Sequence, residues 1–183
     1  LRKLGVAKNT LVAFCSDNGP EGNQNAPGRQ GDFKGRKRSL YEGGVRVPSL
    51  LEWPARIKPG TSSEVATCTV DYFPTVLDLV GIEMPDDRPL DGISLVPLFV
   101  GKLESRPSPL GFHIRGQAAW HDGDWKAYCS KVNSHRWELY NLKDDPYEKK
   151  NRAADKLLKL EAMVGAWGKW KASVETSDKG GDY

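Results

Sequence analysis

At 183 residues the chain is long enough for one domain, or one and a half, with a real core. Its residues are 38% hydrophobic and 28% charged, with a formal net charge of +3, a balance too mild to argue for nucleic acid or a membrane surface as partner. No apolar run approaches the roughly 18 residues of a membrane span. The three cysteines, Cys15, Cys68 and Cys129, follow no Cys-x-x-Cys spacing and make neither a zinc site nor a disulfide framework. One disulfide stays open, and the redox compartment with it.

The opening Leu1-Arg2-Lys3-Leu4-Gly5-Val6 reads as the end of a helix stopped by glycine. Because the chain starts at Leu1 rather than Met, it is expected to be the C-terminal part of a longer protein, with any targeting segment ahead of it. Thr10 to Phe14 is a short apolar run bounded by turn residues, which predicts a strand buried on both faces of a helix-covered sheet. It breaks at Ser16-Asp17-Asn18-Gly19-Pro20. Ligands of open α/β sheets sit beyond the carboxyl ends of strands, which is where Asp17 and Asn18 fall. Residues 19–36 are rich in glycine and proline, and a loop of that length in a compact domain is functional or disordered. Val47 to Pro54 predicts a second strand, closed by proline.

Val70 to Val80 predicts a helix with Tyr72 or Phe73, Val76, Leu77 and Val80 on one face and Gly81 as its stop. Pro85 to Gly92 is an irregular loop. Ser94 can cap a further short turn with Leu95 and Leu98 facing inward. Gly101 to Pro109 is the candidate boundary. Beyond it, Leu110 to Ile114, Gln117 to Trp120, Trp125 to Cys129 and Trp137 to Leu142 predict a small antiparallel sheet of about four strands. Asp122-Gly123 is a hairpin turn between two of them. The last helix is expected over about Ala153 to Ala172, with Leu157, Leu160, Val164, Trp167 and Trp170 at three- and four-residue steps. The domains are thus expected at 1–102 and 103–174, with 175–183 a flexible tail.

Asp17 and Asn18 pair a carboxylate with a side-chain carbonyl, hard oxygen donors that suit Ca²⁺ or Mg²⁺ better than zinc or iron; Asp-Asn-Gly-Pro is equally ordinary turn chemistry. Lys34-Gly35-Arg36-Lys37-Arg38 sets four cations in five residues. Such a run is either solvated or turns one cation inward, where it can neutralise a sulfate or phosphate oxygen. Gly43-Gly44 permits close backbone approach, or a plain bend. No His-x-x-x-His pattern occurs; His113, on a predicted strand, touches substrate only if that strand borders the cleft. The tryptophans read as core, and Cys15 as an inert thiol.

Four stretches together resemble the C-terminal part of the sulfatase family, the formylglycine-dependent, arylsulfatase-like branch of the alkaline phosphatase-like superfamily. Phe14-Cys15-Ser16-Asp17-Asn18-Gly19-Pro20 is similar to its strand-end metal motif. Gly35 to Pro48 resembles its Lys-x-x-x-x-Glu-Gly-Gly-x-Arg-x-Pro block, followed by Leu51-Glu52-Trp53-Pro54. Asp71 to Ile82 with Leu90-Asp91-Gly92-Ile93-Ser94-Leu95, and Glu138-Leu139-Tyr140-Asn141-Leu142 with Asp145, Pro146 and Glu148, resemble the helix, loop, last strand and exit turn that follow.

The resemblance implies an α/β fold: an alkaline phosphatase-like mixed sheet with flanking helices, of which only the C-terminal part is present, plus the small antiparallel sheet packed with a terminal helix. It implies a sulfuric ester hydrolase acting on a small-molecule or carbohydrate sulfate ester. Asp17 and Asn18 are its Ca²⁺ ligands, Mg²⁺ being second choice, and Lys37 contacts the sulfate and acts in catalysis. His113 is a further substrate-binding candidate. The nucleophile motif Cys-x-Pro-Ser-Arg is absent, so the formylglycine and the other ligands are expected ahead of Leu1, and this stretch alone is expected to be inactive. By the same resemblance the protein is secreted, periplasmic or lysosome-like. A phosphodiester or phosphonate ester hydrolase of the superfamily, which typically carries histidine where Asn18 stands, and a non-catalytic binder of sulfated glycans are the alternatives.

Overall fold

The computed structural model describes residues 1–22, 27–84 and 86–182; part of the predicted polar loop, Pro85 and Tyr183 lie outside them. In chain order the regular elements are β1 (Val12–Cys15), the single turn α1 (Glu42–Val45), β2 (Ser49–Glu52), α2 (Tyr72–Val80) and α3 (Val96–Phe99), then β3 (Leu110–Ile114), β4 (Gln117–Asp122), β5 (Trp125–Cys129), β6 (Trp137–Asn141) and α4 (Leu157–Asp178). They divide into two units, residues 1–17 with 47–107 and residues 18–46 with 108–183. The polar loop, assigned by sequence to the first domain, therefore folds with the second unit.

In the first unit β1 pairs antiparallel with β2, Phe14 opposite Leu50. The sequence predicts β1 buried on both faces; instead Phe14 is 63% and Leu50 65% exposed. The described residues supply apolar cover to one side of this unit only, where Trp53, Leu95 and Phe99 pack with Leu11, Leu51, Leu79 and Ile93. The same one-sidedness turns α2. Of its predicted inward face, Phe73, Val76 and Val80 are exposed and Tyr72 and Leu77 only half-buried, while Thr75 is buried. Polar chemistry decides this: Thr75 Oγ1 donates to the Asp71 carbonyl (2.6 Å) and accepts from the Leu95 amide (2.9 Å). The wholly buried Asp71 carboxylate accepts from the amides of Cys68 and Ile93 and takes both arms of the Arg106 guanidinium, at 2.8 and 2.9 Å. Buried carboxylates persist only when so partnered. Gly81, at φ +68°, ends α2 as predicted.

The second unit is a four-stranded antiparallel sheet in the order β3-β4-β5-β6, with Gly123 at φ +56° in the β4–β5 hairpin. Ala118, Trp120, Ala127, Cys129 and Leu139 point to one face, under Leu160, Met163 and Trp167 of α4. At roughly 1.5–3 kcal/mol for each large apolar side chain fully buried, these contacts anchor the helix. The opposite face carries Ala119 and Tyr128, with Phe112 beside them, covered by Leu40, Tyr41 and Val45. Both faces being covered, Ala118, Ala119 and Trp120 of β4 and Ala127, Tyr128 and Cys129 of β5 are buried in succession without alternation. Helix α4 begins later than its periodicity suggests because Asn151 turns the chain first, its Oδ1 accepting from the amides of Leu139 and Ala153. It ends later as well: residues 175–178, expected in the tail, are helical, supported by an i,i+4 ion pair of Lys171 with Glu175.

Candidate active-site segment

The residues singled out by sequence are organised around α1. Gly43 donates its amide to the Lys34 carbonyl at 2.7 Å, and Gly44 accepts from the Gly19 amide at 2.8 Å. A Cβ on Gly43 would stand 2.3 Å from the Gly35 carbonyl oxygen, and one on Gly44 2.0 Å from that of Ser39, so only glycine permits these approaches. The Lys37 amide in turn donates to the Pro20 carbonyl at 2.9 Å. Backbone bonds thus hold the Gly19-Pro20 corner, next to Asn18, against the turn that carries Lys37. Asn18 and Lys37 share the second unit; Asp17 is the last residue of the first stretch of the other. Asp17 is exposed and forms no ion pair among the described residues.

The four cations of the basic run are not equivalent. Arg36 is a clamp within the loop, donating to the Glu21 carbonyl (2.6 Å), Gln30 Oε1 (2.7 Å) and the Gly28 carbonyl (3.2 Å). Arg38, at φ +76°, pairs with Glu21 and accepts from Gln117 Nε2 on its carbonyl. Arg36 is thus half-buried in the loop, whereas the Arg38 side chain stays 51% exposed. Lys34 lies over the Tyr41 ring, 3.9 Å from its centroid, and donates to the Tyr140 hydroxyl at 3.1 Å. Both phenols donate to Glu138; burial first, and that carboxylate second, push them well above the ordinary tyrosine range, so they stay neutral. Lys37 is different. Its side chain is about as exposed as that of Lys34, 39% against 41%, but among the described residues its Nζ makes no hydrogen bond and stands 3.9 Å from Glu21 Oε2, a distance that leaves the ammonium room for an incoming anion. The amide of Gly22, then Arg38, hold the Glu21 carboxyl below its usual value, so it is an anion at neutral pH.

His113 is placed elsewhere. It lies on β3 opposite Ala118, on the α4 side of the sheet, its ring 5.9 Å from that of Trp167. Burial, then the nearby Lys171, lower its pKa. The segment carrying Lys37 packs on the other face, so the sheet does not bring the two together.

Sequence reasoning missed Lys126, and it named Glu42 and Glu148 within family motifs without bringing them together. Lys126, 1% exposed, points from β5 to the loop face and sets its Nζ 2.8 Å from Glu42 Oε1 and 3.0 Å from Glu148 Oε1. Glu148 Oε2 accepts from the Glu42 amide at 2.7 Å. Burial raises the Glu148 carboxyl, with Lys126 opposing. The signal was present in Trp125-Lys126-Ala127-Tyr128: strand alternation puts the lysine on the same face as a buried tyrosine.

Among the described residues no cluster of three His, Cys, Asp or Glu side chains is poised for a metal. Asp17 and Asn18 have the donor chemistry for a hard cation, but two residues make an incomplete shell for an ion that takes six to eight oxygens.

Residues 28–164 match the family model described as N-sulphoglucosamine sulphohydrolase, C-terminal. Steryl-sulfatase of Rattus norvegicus is 40% identical over 148 residues, covering 73% of this chain and 26% of that protein. N-acetylgalactosamine-6-sulfatase of Mus musculus is 38% identical over 151 residues, 79% of this chain and 28% of the relative. The crystal structure of Ps i-CgsB in complex with k-i-k-neocarrahexaose superposes with a TM-score of 0.81 at 31% identity, over 94% of this chain and 39% of that one. The chain spans about a quarter of the length of these curated relatives. With the model covering the loop, α1, the small sheet and the start of α4, the chain belongs to the sulfatase family and carries its C-terminal region.

Proposed function

We propose that the chain is the C-terminal part of a sulfuric ester hydrolase that releases inorganic sulfate from an organic sulfate ester. The observation that carries the reading is Lys37: within the matched residues 28–164, it is the lysine of the basic run whose ammonium is not hydrogen-bonded among the described residues, and its turn is bonded to the Gly19-Pro20 corner. In this reading Lys37 binds an oxygen of the sulfate group and holds charge that grows there as the ester bond breaks, an interaction stronger in the transition state than in the ground state. Glu21 faces the ammonium until the anion arrives. Asp17 and Asn18 would hold Ca²⁺, with Mg²⁺ second, the other ligands coming from outside these residues. A bound cation supplies positive charge to the same sulfate oxygens. None of Cys15, Cys68 or Cys129 stands in a Cys-x-Pro-Ser-Arg context, so the formylglycine nucleophile is proposed to come from outside these 183 residues.

The substrate class is a carbohydrate or small-molecule sulfate ester. The names of the relatives support both, N-acetylgalactosamine-6-sulfatase the first and steryl-sulfatase the second, and the neocarrahexaose complex adds a saccharide ligand. No helix among the described residues is long and apolar enough to cross a membrane; a secreted, periplasmic or lysosome-like location is proposed on the family resemblance.

The test uses the full-length protein with 4-nitrocatechol sulfate and 4-nitrophenyl phosphate. Release of sulfate, loss of turnover in EGTA, recovery with calcium, and a weaker calcium titration for Asp17→Ala are expected. Preferential phosphate release would assign the protein to ester phosphate chemistry instead. Failure to hydrolyse either, with sulfated oligosaccharide still bound, would make it a binder.

A further inference from the structure

From the buried contacts beneath α1 we infer that Lys126 and Glu148, far from Lys37 in sequence and without any route to substrate, are positioning residues for the sulfate-binding lysine. The inference rests on the proposed role of Lys37. It begins with what the α1 turn holds. Gly43 binds the carbonyl of Lys34, Gly44 binds the amide of Gly19, and Lys37 binds the carbonyl of Pro20. A displacement of α1 therefore moves the Lys37 turn and the Asn18 corner together. Besides the apolar packing of Val45, a charged side chain ties α1 itself to the sheet. Glu42 is 7% exposed, its carboxylate on Lys126 and its amide on Glu148.

Glu148 reaches this point from the exit turn after β6 in a positive-φ conformation, +54°, that a non-glycine residue adopts only when its surroundings enforce it. The Lys126–Glu148 contact at 3.0 Å is an ion pair without good hydrogen-bond alignment. Arg46 lies 3.8 Å from the other Glu42 oxygen. A buried ion pair such as Lys126 with Glu148 adds little net stability over an apolar replacement of like volume, because desolvation offsets the attraction. Its effect lies in fixing one register of loop on sheet. A shift of about 1 Å in a reacting group is enough for a loss on the order of 10²-fold in rate, so a cluster that fixes the α1 register fixes the rate through Lys37.

The test is a coupling cycle in the full-length protein between Lys126→Met and Lys37→Ala, read as kcat and KM for 4-nitrocatechol sulfate. With Lys37 present, Lys126→Met is expected to lower kcat on the order of 10²-fold, and Lys126→Arg to restore most of it. On the Lys37→Ala background, Lys126→Met should cost no more than about twofold further, because the group it positions is gone. Where Lys126→Met does not fold, as judged by far-UV circular dichroism, the pair Lys126→Met with Glu148→Leu removes both charges together and takes its place. Equal losses on the two backgrounds, or no loss with Lys37 present, overturn this inference and leave the reading of Lys37 standing. Wild-type turnover in Lys37→Ala alone overturns that reading, and this inference with it.

Discussion

Glu148 is the residue at which burial and charge conflict most directly. Its carboxyl is raised by desolvation, against the pull of Lys126 and the Glu42 amide. Between its ordinary value of 4.5 and the raised one, the folded state holds more protons than the unfolded state, so stability falls as pH rises through that window. Glutamine has the shape of the protonated acid and does not titrate. Glu148→Gln is therefore expected to match the wild type in melting temperature near pH 4.5 and to gain on it as pH increases. A wild type that gains on the variant over the same range would contradict a raised carboxyl. Asp71, equally buried, meets its desolvation differently, with two amides and a bidentate guanidinium.

At the scale of elements, the strands and turns of the small sheet were legible because local chemistry dictates them. Asp122-Gly123 makes a hairpin wherever it lies between apolar runs, and β3 to β6 fall where the alternation puts them. What local chemistry could not show is which side of an element is covered. The stripe Phe73, Val76, Leu77, Val80 is as apolar as a core face, yet Thr75 and its two hydrogen bonds rotate the helix so that of these four only Leu77 is half-buried. The α1 turn was legible as a glycine pair but not as the hub it is, because its partners, Lys34, Gly19, Lys126 and Glu148, are brought to it only by tertiary structure. The absence of space at Gly44 makes a plain prediction. An added Cβ would stand 2.0 Å from the Ser39 carbonyl and 2.6 Å from that of Arg36, both backbone. Gly44→Ala is expected to destabilise the second unit by about 1–3 kcal/mol or more and to speed amide exchange at Lys37. Unchanged melting and exchange would show that the turn is not the support described here.

Over the whole molecule, the two units differ in how fully they cover themselves. The small sheet is covered on both faces by its own chain, α4 on one side and the Leu40–Val45 segment on the other, whereas Phe14, Leu50, Phe73, Val76 and Val80 of the first unit are exposed. That contrast accords with a chain spanning about a quarter of its curated relatives. Family and fold were readable while the ligand set was not: the strand-end motif offers Asp17 and Asn18 as proposed ligands, and no group of three His, Cys, Asp or Glu side chains gathers for a metal among the described residues. The functional account comes down to one ammonium group. The direct measurement is kcat for 4-nitrocatechol sulfate by the full-length protein and its Lys37→Ala variant, with circular dichroism to verify the fold. A cation acting on the transition state predicts a fall in kcat of about 10²-fold or more in a folded variant. Near-wild-type kcat in that variant would contradict the assignment of Lys37 as the sulfate-binding residue.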